Sequence, residues 1–271
     1  MICLRILFVF TLMNGTLAQG GDRDNLCARF TGDAHSAVLG SYHVITAPYH
    51  WNSADWIYFG VIASSAVGSY FLDHDIRQLF QRNKGRFADN LSRFGEIYGE
   101  PLTVIALTGG IYAYGLFLNN LQARRIAILM TAALIPAGTI QTISKIAAGR
   151  ARPLTDEGHN TFKPFSRTED FYSFVSGHTL VAMTISLVLA KQFRSVPVKI
   201  AVHSLGVIGG ISRIYNDDHW FSDVLLGGAL SYACVYSADN WINQNTETLD
   251  NKNISILFHV TSTKISISFL W

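Results

Sequence analysis

The sequence predicts an all-α protein: a bundle of six helices followed by a short C-terminal β-hairpin. Three observations carry this. Six apolar segments, at about 56–72, 101–118, 124–148, 177–192, 198–213 and 219–238, are longer than ordinary strands and rich in Ala, Leu, Ile and Gly. Charged residues make up only 15% of the chain against 49% hydrophobic ones, with glycine frequent inside the apolar stretches, which suits closely packed helices. No Pro/Ser/Gly-rich linker, long charge run or internal repeat divides the 271 residues.

Residues 1–18 read as a secretory signal peptide. Arg5 supplies a basic start, Ile6 to Met13 an apolar stretch, and Thr16-Leu17-Ala18 a small-residue cleavage site. Eight apolar residues are too few to span a bilayer. Two cysteines follow the signal, Cys27 and Cys234, and spacing alone leaves open whether they pair or remain thiols. Residues 19–55 are mixed polar and aromatic and read as an N-terminal arm or short helices. Their histidines, His35, His43 and His50, follow no metal-ligand spacing.

Residues 56–245 hold the six apolar helices. Between the first two, Asp73 to Gly99 carries both charge signs at helical spacing and reads as one or two solvated amphipathic helices. Membrane topology gives two conflicting signals. A cleaved signal sets the new N-terminus outside, whereas the basic pairs Arg124 and Arg125, and Lys191 and Arg194, favour the opposite threading. A bundle lying outside the inner membrane, soluble or peripherally attached, removes the conflict; an embedded bundle is the alternative. Residues 246–271 form the tail, read as two alternating strands, 254–260 and 265–271, around a polar turn. The net charge of +2 and the lack of basic-aromatic runs argue against nucleic acid.

Chemistry concentrates in three clusters. In Ser212-Arg213…His219…Asp223, His219 and Asp223 are four apart, a spacing that on a helix brings a carboxylate to the imidazole, fixing its tautomer and activating its other nitrogen. In Lys145…Arg152-Pro153, two helical turns separate a point-charge donor from a planar fork, both suited to phosphate oxygens. In Ser176-Gly177-His178, a natural N-cap and a glycine offer backbone N–H groups, and His178 can give a proton to a departing oxygen. The set suits a tetrahedral oxyanion. It does not suit a metal, because paired carboxylates and Cys/His ligand spacings are missing from it. No cofactor is expected.

In order and internal spacing these clusters resemble the signature of the type 2 phosphatidic acid phosphatase/haloperoxidase superfamily: Lys-x6-Arg-Pro, Pro-Ser-Gly-His and Ser-Arg-x5-His-x3-Asp. Val175 stands where that signature has proline. The resemblance implies an all-α bundle with its site at one end, and a metal-independent phosphatase acting on a lipid phosphate or a small phosphate ester; with the export signal, this is expected in the periplasm or cell envelope, in contact with a membrane. It implies that His219 becomes a phosphohistidine polarised by Asp223, that His178 is the leaving-group acid, and that Lys145, Arg152, Ser176, Gly177 and Arg213 hold the phosphoryl oxygens. Arg150, Asp156, Asp217 and Asp218 have no counterpart in the signature and read as loop charges, Arg150 with a possible secondary contact. The alternatives are a vanadium-dependent haloperoxidase, since vanadate mimics phosphate, and a non-catalytic envelope protein that keeps the oxyanion pocket.

Overall fold

The computed structural model describes residues 26–245, 255–261 and 264–270. The segment read as a signal peptide lies outside the described residues. Among the described residues, nine α-helices run in chain order: α1 (Leu26–Thr46), α2 (Ser53–Tyr70), α3 (Asp73–Arg82), α4 (Arg86–Tyr98), α5 (Pro101–Phe117), α6 (Leu121–Ala148), α7 (Gly177–Ala190), α8 (Val196–Tyr215) and α9 (Phe221–Asn245). Two strands, β1 (Ser255–Thr261) and β2 (Lys264–Leu270), pair antiparallel with Thr261 opposite Lys264. The six apolar segments lie on α2 and α5 to α9, and the polar stretch forms α3 and α4.

Local chemistry explains most of the helix ends. Asn52 accepts from the Ala54 and Asp55 amides while Asp55 accepts from the Asn52 amide, a reciprocal cap that starts α2. Pro101 opens α5, where its missing N–H costs nothing. Asn120 caps α6, and Gly149 closes it in the left-handed region at φ 56°. At Gly149 a Cβ would lie 1.9 Å from the Lys163 carbonyl oxygen, so both conformation and space demand glycine.

The core forms around α6, which packs against α1, α5, α7 and α9, while α7 lies along α8 and α9. Met130, Ile185, Val188 and Val235 are fully buried there; burying each side chain of this size contributes about 1.5–3 kcal/mol. The stretch read above as an N-terminal arm contains α1, a 21-residue helix of that core. Its buried Asp33 accepts both guanidinium arms of Arg124 at 2.7 Å and the Tyr112 hydroxyl at 2.9 Å, tying α1 to α5 and α6. Arg124 is therefore a structural ion pair, and its weight as a topology marker falls away. No disulfide joins Cys27, which is exposed, to Cys234, which is buried.

Among the described helices only α6 is long and apolar enough to cross a membrane, and nearly half of its apolar window is buried in the bundle. Exposed apolar side chains are nevertheless numerous, with Ile57, Tyr58, Val61 and Val67 along α2 and Leu102, Ile105 and Phe117 along α5. Up-and-down packing gathers the C-terminal ends of α6 and α8 and the N-terminal ends of α7 and α9, which brings the three sequence clusters together.

Candidate active site

His219 lies in the loop between α8 and α9, two residues before the first helical residue, and is 3% exposed. The helical spacing rule therefore does not govern it, and Asp223 does not orient its ring. Instead the His219 Nδ1–H donates to the Ser173 carbonyl at 2.6 Å. A carbonyl can only accept, so Nδ1 carries the proton and Nε2 keeps its lone pair. Burial pushes the imidazole well below its ordinary pKa, and the Lys145, Arg152 and Arg213 cations push it further. A neutral ring with an unprotonated Nε2 thus lies among three cations.

Asp223 has other partners. Its Oδ2 accepts from the Ser173 hydroxyl at 2.5 Å and from the Trp220 amide at 3.1 Å, and its Oδ1 accepts from Arg150 at 2.6 Å. The carboxylate thus reaches back to the residue preceding α9, as an acidic residue in the first helical turn often does. Its link to His219 is indirect, through Ser173: the hydroxyl goes to Asp223 and the carbonyl to the imidazole.

Arg150 corrects the reading of it as a loop charge. It is 1% exposed and reaches Asp223, the Ser222 hydroxyl at 2.8 Å, Asp73 at 2.7 Å and the His159 carbonyl. The rings of Tyr70, Trp220 and Phe162 surround its guanidinium at 5.0–5.8 Å. Asp73, the first residue of α3, also accepts from the Ser222 amide at 2.8 Å and hydroxyl at 2.7 Å. A buried network of one guanidinium and two carboxylates therefore pins α3 and the 150–175 loop to the start of α9. Sequence reasoning passed over Asp73 because 77 residues separate it from Arg150. Only the rarity of charges in this chain hinted at either residue.

The remaining cations converge on His219. Lys145, in the last turn of α6, is partly buried, and its pKa is lowered to about 8 by burial and by Arg152. Arg213, at the end of α8, is 4% exposed, and neither its Nε nor its Nη1 has a hydrogen-bond partner; the same holds for Arg152 Nε. Unpaired buried N–H groups are costly, and these three belong to two arginines that share Asp218 as a neighbour, which suits the pair to an acceptor-rich ligand. Ser176 caps α7, accepting from the Thr179 amide at 3.5 Å and hydroxyl at 2.8 Å, and is fully buried beside Gly177. Ser176 N–H donates to the Asp223 carbonyl at 3.2 Å, which locks the start of α7 to that of α9.

His178, the first histidine of α7, has its Nε2 3.0 Å from Glu100 Oε2. Burial and the Arg213 cation lower its pKa, and Glu100 opposes them. Gly99 permits this contact, because a Cβ there would come 2.7 Å from the His178 carbonyl. The other charges read as loop residues have partners too. Arg77 holds Asp217 through two bonds of 2.7 and 2.6 Å and also reaches Asp156, while Asp218 pairs with Arg213.

All eight expected residues thus surround one end of the bundle. Residues 126–247 match the model of the PAP2 superfamily. None of the curated protein sequences matches the chain. Among solved structures the chain is similar to LpxE from Aquifex aeolicus, with a TM-score of 0.50 and 18% identity over 62% of this chain and 95% of that one. It is also similar to a transmembrane PAP2-type phosphatidylglycerolphosphate phosphatase from Bacillus subtilis, with a TM-score of 0.47 and 17% identity over 70% of this chain and 94% of that one. The match from 126 to 247 takes in every one of the eight residues, and over this part the chain is similar to the PAP2 superfamily.

Proposed function

We propose that this protein is a metal-independent phosphatase that hydrolyses phosphate monoesters, of a lipid or of a small molecule, through a phosphohistidine. The observation that carries the reading is the His219 ring, whose Nδ1–H is committed to Ser173, which leaves Nε2 as the lone-pair nitrogen among Lys145, Arg152 and Arg213. His219 Nε2 attacks phosphorus in line, the phosphorus–oxygen bond to the leaving group breaks, and His178 gives that oxygen its proton. A water then attacks the phosphohistidine, with His178 taking its proton, and inorganic phosphate leaves. Lys145, Arg152, Arg213, the Ser176 hydroxyl and the Gly177 amide hold the three non-bridging oxygens and spread the transition-state charge.

Residues 1–18 act as an export signal, placing the helical domain in the periplasm or cell envelope, and the exposed apolar face of α2 supports contact with a membrane. The test is release of phosphate from a generic aryl phosphate and from a phosphorylated lipid. Turnover persists in EDTA and falls by at least about three orders of magnitude in His219→Ala. Dependence on added Mg²⁺, or full activity without the imidazole, overturns the reading.

A further inference from the structure

We propose that Asp218 is the resident counter-ion of the phosphate-binding arginines, a carboxylate that must yield when phosphate binds and that returns to expel it. The inference rests on the phosphatase reading above and assigns a role to a residue outside the family signature. One Asp218 oxygen pairs with Arg213 Nη2, and the other lies 3.8 Å from Arg152 Nη1. A single carboxylate thus bridges the two guanidinium groups assigned to the phosphoryl oxygens, much as a phosphate would.

The loop carrying Asp218 is held from both sides. The Asp218 and His219 amides both donate to the Arg213 carbonyl, at 3.0 and 3.2 Å. Asp217, at φ 65°, is clamped by Arg77, and its carbonyl accepts from the Leu154 amide at 3.0 Å. The backbone therefore stays in place, and the carboxylate, 22% exposed, can leave only by side-chain rotation toward solvent. Arg213 Nε and Nη1 and Arg152 Nε still lack hydrogen-bond partners, so Asp218 satisfies the pair only in part and a tetrahedral oxyanion with more acceptors displaces it.

Two like charges in one partly buried pocket repel, so the resident carboxylate weakens every oxyanion that enters. The consequence reaches product release. Inorganic phosphate held by Lys145, Arg152 and Arg213 would leave slowly without a competitor of like charge built into the chain.

The experiment is a sulfate titration of the full chain at fixed pH and ionic strength, followed by calorimetry and by thermal shift. Sulfate is a tetrahedral dianion whose charge does not change across the working range, and its binding requires no turnover. Asp218→Asn, which preserves shape, binds sulfate about ten-fold tighter than wild type, and inorganic phosphate becomes a correspondingly stronger product inhibitor. Glu96→Gln, at a half-exposed carboxylate 3.9 Å from Arg213, changes affinity little. Should Asp218→Asn fail to fold, Asp218→Ser removes the charge in the same assay. Equal or weaker sulfate binding in the neutral variant overturns the inference while leaving the phosphatase reading intact. Absence of anion binding in both proteins overturns the phosphate site itself, and this inference with it.

Discussion

The side chains of the site divide by how they are held. His219 and Arg150 are fixed by their hydrogen-bond partners, whereas burial lowers the pKa of His178 and brings that of Lys145 down to about 8. That difference predicts the pH behaviour. In the proposed mechanism His219 must be neutral to attack, and with a pKa well below 6.5 it is neutral through the whole neutral range. His178 must be protonated to serve as acid, and its lowered pKa means that the protonated fraction falls as pH rises, already below 6.5. For an ester with a poor leaving group, kcat/KM is therefore highest on the acid side of 6.5 and declines above it. Binding of an oxyanion inhibitor shows a separate decline above about 8, as Lys145 loses its charge. In Lys145→Arg the second decline disappears, because a guanidinium stays charged; a pH series of inhibition constants measures it.

At the scale of elements, the ends of helices matter more than their lengths. The starts of α3 and α9 and the loop after α6 meet on Arg150, which pairs with two fully buried carboxylates, Asp73 and Asp223. Removing one partner of a buried pair leaves an uncompensated charge. Arg150→Met is thus expected to destabilise the protein by about 3–5 kcal/mol in denaturant unfolding. Its residual folded fraction should also lose activity, because Asp223 no longer sets Ser173 and, through it, the His219 tautomer. Arg150→Lys recovers little, since one ammonium cannot serve Asp73, Asp223 and Ser222 from a single planar fork. An unfolding midpoint unchanged in Arg150→Met would contradict this assignment.

On the scale of the whole molecule, the bundle includes a helix that precedes the apolar segments. Through Asp33, α1 is fastened to Arg124 and Tyr112, so the N-terminal region is part of the body that carries the site. Arg124→Met should lower the melting temperature by roughly 5–10 °C, from a loss of about 2–3 kcal/mol. Hydrogen exchange should then quicken first in α1, and a uniform change across all helices would show that Asp33 has no such local role. The site itself lies at the far end of α6 from Arg124, so the variant that remains folded keeps its pH profile.

Several of these features were legible in the order of residues alone. The apolar segments, the polar α3–α4 stretch and the eight candidate site residues follow from local spacing, composition and a signature whose positions are close in sequence, because helix periodicity and capping act over a few residues. What tertiary structure decided was the partner of each group. His219 and Asp223 have the spacing of a helical pair, yet the helix starts two residues after His219, and Ser173 comes between them from 46 residues away. Arg150, Asp73 and Asp218 drew little notice in sequence, because a charge shows its role only through what lies against it. Residue order alone determined which chemistry is proposed for this protein. Folding decided which carboxylate neutralises Arg150, which carbonyl holds the histidine and which acid occupies the arginines, since buried charges take partners by proximity in space.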